Sequence, residues 1–568
     1  MKSTKSFIYI CAVIFLSIAL LITGCGGGGG GNSVGPEPDP TDFETSSIKP
    51  TETNKVYSET GINTRNIAVD VPADGSLYLL NISNNSNRSI DVKVSSSNTN
   101  ADTRMSVADE MQSEFGESPF DANTMARCMF AEAAMAHQSR AKSKTSALRA
   151  SSRYSVENHK NESVGNEYTI QVGTVDKAPL VVLKKCKLVK ITDYAKFFVD
   201  QDSHGGYLSR AAEMEQWLTS NDGVNPADLY DKYMYGVLSE NYGTVADVDG
   251  DGKLSVLITS ILPSWQSGLE GLFPEETMIL NPGDYCLDAN NPANNITDFR
   301  DLILLAPPIG NSEKERHTMV SNLIHETQHA VNFSQRSFSG NTYEKFEATA
   351  FAEELGFDEG CSVAAEALFR RAMGAAREAH TYEYRSGGPS TEYAGNTSKF
   401  NSYSISDVYP FSKSNFNYSS DYGRNGLFML YLHDRFGQSS FKKLIQQGWQ
   451  GRNLKYVIPE KLGCNSLDEL QTGWHIAMQY EGIRTQIGVT KDPGNIGYKD
   501  WLNLKGIGSL NSALNNIQST VSAGSTLKYS FRANNSISGN NFRFFVKSAD
   551  QSTSLRNIKI SLVKVPNN

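Results

Sequence analysis

His325-Glu326-Thr327-Gln328-His329 places two imidazoles four residues apart, with a carboxylate directly after the first. On a helix, residues four apart project from one face. Two imidazoles so placed can share one tetrahedral ion at about 2.0–2.1 Å per nitrogen. Glu326, between them, can reach a water at the ion's open position, whose pKa a bound metal lowers towards 7, and take its proton. The spacing therefore predicts a hydrolytic metal centre rather than two unrelated helix histidines.

A catalytic zinc needs a third protein ligand. One arrangement puts a third His six residues after the second with Gly between. Those positions carry Gln335 and Asn332, so that arrangement is excluded. The other takes a carboxylate from a following helix. Glu353, Glu354, Glu359 and Glu366 are available, and for Glu353, Glu354 and Glu366 the competing reading is an exposed helix-face carboxylate. Gly356 interrupts the periodicity and predicts a new helix near Asp358, with Glu359-Gly360 in its first turn. Asp358 and Glu353 are candidates to orient the imidazoles.

The element carrying the pair reads as one helix over residues 312–336. Ser312 and Glu315 form a capping box, and Met319, Val320, Leu323, Ile324 and Val331 make an apolar stripe at helical spacing. Helices dominate from about 312 to 485. Before them, residues 167–199 alternate like strands, followed by helical periodicity at 207–218 and 226–242. Asp247, Asp249 and Asp251 with Gly252 match the first half of a calcium loop, but its twelfth position is Ile258 instead of Glu. A turn feeding the buried strand Val256-Leu257-Ile258 is the competing reading.

Strand-like alternation also marks residues 51–103 and 495–568. The expected architecture is α+β and multidomain. A zincin-like catalytic domain, a mixed sheet plus a helical subdomain, spans 166–490. It is flanked by an N-terminal β-rich region at 51–165, with a helical stretch at 121–139 and a basic linker at 140–153, and a C-terminal β-sandwich at 491–568. The N-terminal region could be a removable propeptide or a permanent domain.

These segments together resemble the gluzincin metallopeptidases, and especially the hyicolysin-type family (peptidase family M30), over about residues 190–450. The resemblance rests on Asp247 to Lys253, His325 to His329, Glu359-Gly360, Tyr422-Gly423, and Tyr431-Leu432-His433-Asp434-Arg435-Phe436-Gly437. It implies zinc held by His325, His329 and Glu359, Glu326 as general base, and protein or peptide substrates. Tyr422-Gly423-Arg424-Asn425-Gly426 is similar to a Tyr-x-Lys-Gly segment of related aminopeptidases, which implies that Tyr422 steadies the oxyanion. Cys361-Ser362 departs from the family's apolar residues there, as Asp358 departs from its more common Asn. His433 reads as a packing residue.

The chain begins with Lys2 and Lys5 ahead of an apolar run, Phe7 to Leu21. A run of about 15 residues suits a signal peptide and is too short to span a bilayer comfortably. Leu21-Ile22-Thr23-Gly24-Cys25 resembles a bacterial lipobox. It implies cleavage after residue 24, a lipid on Cys25 and a Gly/Pro-rich tether over 25–50. The expected location is the cell envelope, on its outward or periplasmic side, with the membrane reached through the lipid. Besides Cys11 in that apolar run and Cys25, five cysteines are scattered without a CxxC pair. At 568 residues, 39% hydrophobic, 20% charged and net −9, the chain has a globular composition and lacks the basic face a nucleic-acid partner requires. The rivals to a peptidase are a non-catalytic surface lipoprotein or adhesin with a metallopeptidase-like fold, and a metal-sensing lipoprotein. Intact Glu326 argues against the first, and the second is distinguished by metal retention without loss of function in Glu326→Ala.

Overall fold

A computed structural model describes residues 44–96, 159–173, 181–278, 300–308, 313–343, 351–379, 418–446, 454–483, 496–499 and 510–565, apart from gaps within these ranges. The signal segment with Cys25, the 121–153 stretch and Ser312 lie outside the described residues.

The first strands are β1 (Glu44–Thr45), β2 (Val56–Thr60), β3 (Asn66–Pro72), β4 (Leu77–Asn84) and β5 (Ile90–Ser96). A second group follows: β6 (Glu167–Gly173), β7 (Val181–Ile191), β8 (Ala195–Asp200), β9 (Leu254–Ile258), β10 (Gly271–Leu272) and β11 (Leu302–Leu305). The helices are α1 (Ala211–Leu218), α2 (Pro226–Leu229), α3 (Tyr235–Asn241), α4 (Ile261–Trp265), α5 (Glu313–Ser337), α6 (Phe351–Ala379), α7 (Tyr418–Phe436), α8 (Gln438–Gln446), α9 (Leu454–Leu462) and α10 (Leu467–Ile483). A short hairpin, β12 (Phe338–Ser339) and β13 (Thr342–Tyr343), follows α5. The chain ends in β14 (Leu510–Asn511), β15 (Ile517–Val521), β16 (Thr526–Arg532), β17 (Asn541–Ser548) and β18 (Ile558–Val565).

The central sheet has the order β10-β11-β9-β8-β7-β6. Strands β8, β9 and β11 run parallel, with β7, β6 and β10 antiparallel to their neighbours. Parallel strands covered on both faces read as nearly continuous apolar runs, as β11 and, apart from Ser255, β9 do. Val256, Ile258, Ile303 and Leu305 face the core shared with α5, α6 and α7. Leu257, Leu302 and Leu304 face a second core containing Ile170, Leu188 and Leu262. Helix α5 lies on the first face against β11 and β10.

The β-rich ends of the chain, expected as separate N-terminal and C-terminal domains, form one sandwich. One sheet is β1-β3-β17-β5-β15, the other β14-β16-β4-β18-β2. N-terminal and C-terminal strands are interleaved in both, so neither segment makes either sheet alone. Val69, Leu80, Ile82, Val92, Phe531, Phe544 and Ile560 fill the space between them. All of β4 is buried because its other face, with Leu77 and Leu79, packs on Ile476, Tyr480 and Ile483 of α10. Burying apolar rows from both ends of the chain in one core overrides their separation in sequence.

Residue Gly356 does not start a new helix either. Helix α6 runs from Phe351 through Glu359, and its non-helical residue is Gly374. A helix-interior glycine costs about 1 kcal/mol relative to alanine. Here its carbonyl accepts a 2.9 Å hydrogen bond from Nδ2 of buried Asn425 on α7.

Candidate metal centre

Nearly every side of α5 is covered, including its polar residues: Ser321, His325, Glu326, Gln328 and Asn332 are all buried. Buried polar groups need partners, and α6 supplies most of them. Along α5 from Ser321 to Asn332, the partners on α6 step back from Glu366 to Asp358, so the two helices run antiparallel. Ser321 Oγ donates to Glu366 Oε2 at 2.6 Å, and Ser362 Oγ donates to Gln328 Oε1 at 2.5 Å. Asn332 Nδ2 donates to Asp358 Oδ1.

Within this seam, Nε2 of His325 lies 3.2 Å and Nε2 of His329 lies 3.5 Å from one oxygen, Oε2 of Glu359. The ligand atoms of the three residues all fall within 4.8 Å of one another. A tetrahedral ion with bonds of about 2.0 Å separates its ligand atoms by roughly 3.3 Å, which is the spacing seen. Each imidazole is held from its other nitrogen by a carboxylate. His325 Nδ1 is 2.8 Å from Glu366 Oε1, and His329 Nδ1 is 2.8 Å from Asp358 Oδ2. A proton on each Nδ1 leaves the Nε2 lone pairs directed at the shared point. The donor set of two imidazoles and one carboxylate fits zinc.

The electrostatics favour a cation at that point. Burial pulls the imidazolium of His325 down, but hydrogen bonds to Glu359 and Glu366 outweigh it and raise its pKa to about 9. His329 is likewise lowered by burial and then raised well above the usual range by Asp358 and Glu359. Burial raises Glu359, yet the two imidazoles hold it far below the usual carboxylate range. Three carboxylates thus attract positive charge to two rings, and a dication can replace the protons.

Glu326, also buried, lies against β10. A Cβ added at Gly271 would stand 2.5 Å from Oε1 of Glu326 and 2.7 Å from its Cγ. Only a residue without a side chain lets this edge strand lie against that carboxylate.

Tight backbone contact also sets α6 against α7. A Cβ at Gly360 would meet the backbone of Asn425 at 3.1 Å, and one at Gly426 would meet Val363 Cγ1 at 2.3 Å. The glycines of Glu359-Gly360 and Gly423-Arg424-Asn425-Gly426 therefore include two that let the helices cross closely and fix the depth of Glu359.

Among the described carboxylates weighed as a third ligand, Glu359 is the one grouped with both imidazoles. Glu366 is neither a ligand of that group nor a solvated surface acid. It is buried, shared among His325, Ser321 and Arg370. The side chains of Glu353, Glu354 and Tyr422 lie outside the described residues. His433 packs edge-on against Phe441 and bonds Asn241 Oδ1 at 2.9 Å. The carboxylates of Asp247, Asp249 and Asp251 converge as a separate group within 4.8 Å. Glu366 and Ser362 had a legible signal, since they lie seven and three residues after Glu359 and so share its helix face. Gly271 had none, because its role depends on a strand pairing.

No family profile matches this chain, and no curated protein sequence matches it. Among solved structures, a mutant M1 zinc metallopeptidase from Deinococcus radiodurans, bound to a Tyr-Ser-Ala substrate, aligns at 13% identity and a TM-score of 0.26. The alignment covers 72% of this chain and spans 62% of the length of that one. A superposition this loose supports no residue assignment. The described structure itself is a mixed α/β molecule with several sheets and a His-His-Glu group.

Proposed function

We propose that this protein is a zinc-dependent endopeptidase, exported and held at the cell envelope by a lipid on Cys25. One observation carries the hydrolase reading: the Nε2 atoms of His325 and His329 converge on Oε2 of Glu359 while carboxylates occupy both Nδ1 atoms. Lipid attachment and location rest on the sequence of residues 1–50.

A bound zinc ion would supply Lewis acidity for a carbonyl and acidify a water. His325, His329 and Glu359 would hold it, and Glu366 and Asp358 keep both rings oriented. Glu326, against Gly271 of β10, would accept the water's proton on its carboxylate and deliver it to the leaving amine. Strand β10 is the rim of the central sheet in the strand order described, and it lies against Glu326. An extended peptide can pair with such an edge and run past the base. Tyr422, four residues before the α6–α7 crossing at Gly426, is the proposed oxyanion donor.

The test is zinc content and casein hydrolysis of the purified protein, before and after chelation and zinc return, beside Glu326→Gln. A single zinc per chain, chelator-sensitive hydrolysis and a fall of about 10²–10⁴-fold in Glu326→Gln are expected. Zinc retained with no hydrolysis of any peptide library would leave the adhesin reading in place.

A further inference from the structure

The loop over residues 247–253 and Asp301 meet at one end of the central sheet. The loop runs into β9, Asp301 immediately precedes β11, and the two strands are parallel neighbours with Ser255 opposite Leu302. Ser255 N donates to the main-chain oxygen of Asp301 at 2.8 Å. Asp301 therefore stands beside the loop, 50 residues away in sequence from Asp251.

The loop folds as the start of a cation loop does. Gly252 N donates to Asp247 Oδ1, Asp251 N to Asp249 Oδ1 and Lys253 N to Asp251 Oδ1. Those bonds shape the turn and by themselves indicate no ligand. Two atoms do: Oδ2 of Asp249 and Oδ1 of Asp301 have no hydrogen-bond partner, in residues only 3% exposed. A buried carboxylate oxygen without a partner is costly.

The neighbouring cations do not balance the charge. Lys196 Nζ pairs with Asp251 at 2.5 Å and with Glu162 at 2.8 Å. Arg300 is committed to Glu162, His159 and Ser255. Lys253 Nζ turns away to the carbonyls of Thr192 and Asp193. Asp247, Asp249, Asp251, Asp301 and Glu162 thus share Lys196 and Arg300, with His159 alongside. The strain shows in the acids themselves. Burial, then the charge of Asp251, pushes Asp249 up to about 7. Burial, then Asp249, Asp251 and Asp247, raises Asp301 well above the usual range.

We propose that a hard divalent cation, with calcium the best fit, binds Asp247, Asp249 and Asp251, while the buried carboxyl of Asp301, on the neighbouring strand, adds a negative charge beside the site that the ion offsets. Six to eight oxygens serve such an ion, and the buried, partnerless Oδ2 of Asp249 is a donor left open for it. The site is separate from the His-His-Glu group and does not depend on peptidase activity. Its effect is on the support of α5. Just before the loop, Ala246 N donates to Ser334 Oγ at 2.9 Å and Thr244 O accepts from Gln335 Nε2 at 2.7 Å, and Val248 of the loop packs in a cluster with Met278 and Phe333.

The test strips the full-length protein of divalent ions, restores zinc, and titrates calcium or magnesium in parallel. Calorimetric binding and thermal unfolding are the readouts. One further cation per chain and a rise in Tm of about 2–4 °C at saturation are expected. Asp301→Asn should bind at least about tenfold more weakly and yet melt higher than wild type without cation, because a repulsive charge is gone. That opposite pair of effects cannot come from misfolding. The doubly substituted His325→Ala, His329→Ala protein should keep the calcium response. A response to either cation supports the site. No response to either one, or unchanged affinity in Asp301→Asn, overturns it.

Discussion

Oε1 of Glu366 lies 2.8 Å from Nδ1 of His325, and its Oε2 receives the Ser321 hydroxyl at 2.6 Å. Glu366 touches the proposed ion only through the ring it orients. Glu366→Gln keeps the size of the side chain and can still bond Nδ1, but only with weaker, uncharged acceptance. Zinc affinity, measured by competition with a chromogenic chelator, should fall about 10–100-fold with the fold intact. Glu359→Gln should lose far more. Equal affinity of Glu366→Gln and wild type would remove the orienting role.

Glu326 and the backbone of Gly271 leave no room for a methyl group between them. Gly271→Ala must therefore push the carboxylate aside or shift β10. Hydrolysis should drop about 10²-fold while zinc content stays at one per chain. Loss of zinc together with activity would show that the substitution disturbs α5 instead.

The crossing of α6 and α7 depends on Gly426 against Val363. Gly426→Ala should cost about 1–3 kcal/mol of stability by overpacking. Val363→Ala in the same chain should recover part of that loss, since the clashing atom is gone. A double-mutant cycle by denaturant unfolding measures the coupling.

Asp434 is tied to Arg371 through two hydrogen bonds, at 2.6 and 2.9 Å. Burial raises its pKa, but His433 and Arg371 bring it down to about 2. A group whose folded pKa is depressed stabilises the protein above its unfolded value, near 3.9, and loses that contribution as pH falls towards about 2. The difference in stability between wild type and Asp434→Asn should therefore shrink between about pH 4 and pH 2. A difference independent of pH in that window would contradict the assignment.

Strands β3, β4 and β5 alternate with β15, β16, β17 and β18 in both sheets of the sandwich. A protease site engineered between residues 97 and 158 should, after cleavage, leave both pieces co-eluting on gel filtration. They should part only in denaturant. Release of the N-terminal piece under native conditions would restore the propeptide reading.

The helix of the metal motif was legible because its information is local. The run from Met319 to Val331 carries an apolar period, and the i, i+4 pair carries its own geometry, so α5 at Glu313–Ser337 departs little from the range read in the sequence. Most strands were legible for the same reason. The break at Gly356 was misread because intrinsic preference says nothing about Asn425, which reaches its carbonyl from α7.

By itself, then, the sequence determined which residues could bind a metal, where the helix bearing two of them runs, and which stretches alternate as strands. These follow from spacings of a few residues, over which backbone geometry is rigid. Only the tertiary structure decided that Glu359 joins the imidazoles while Glu366 stands behind one, that Gly271 lies against Glu326, and that the chain's two ends build one sandwich. Each of those depends on surfaces distant in sequence being buried together, and burial free energy depends on area removed from water rather than on order along the chain.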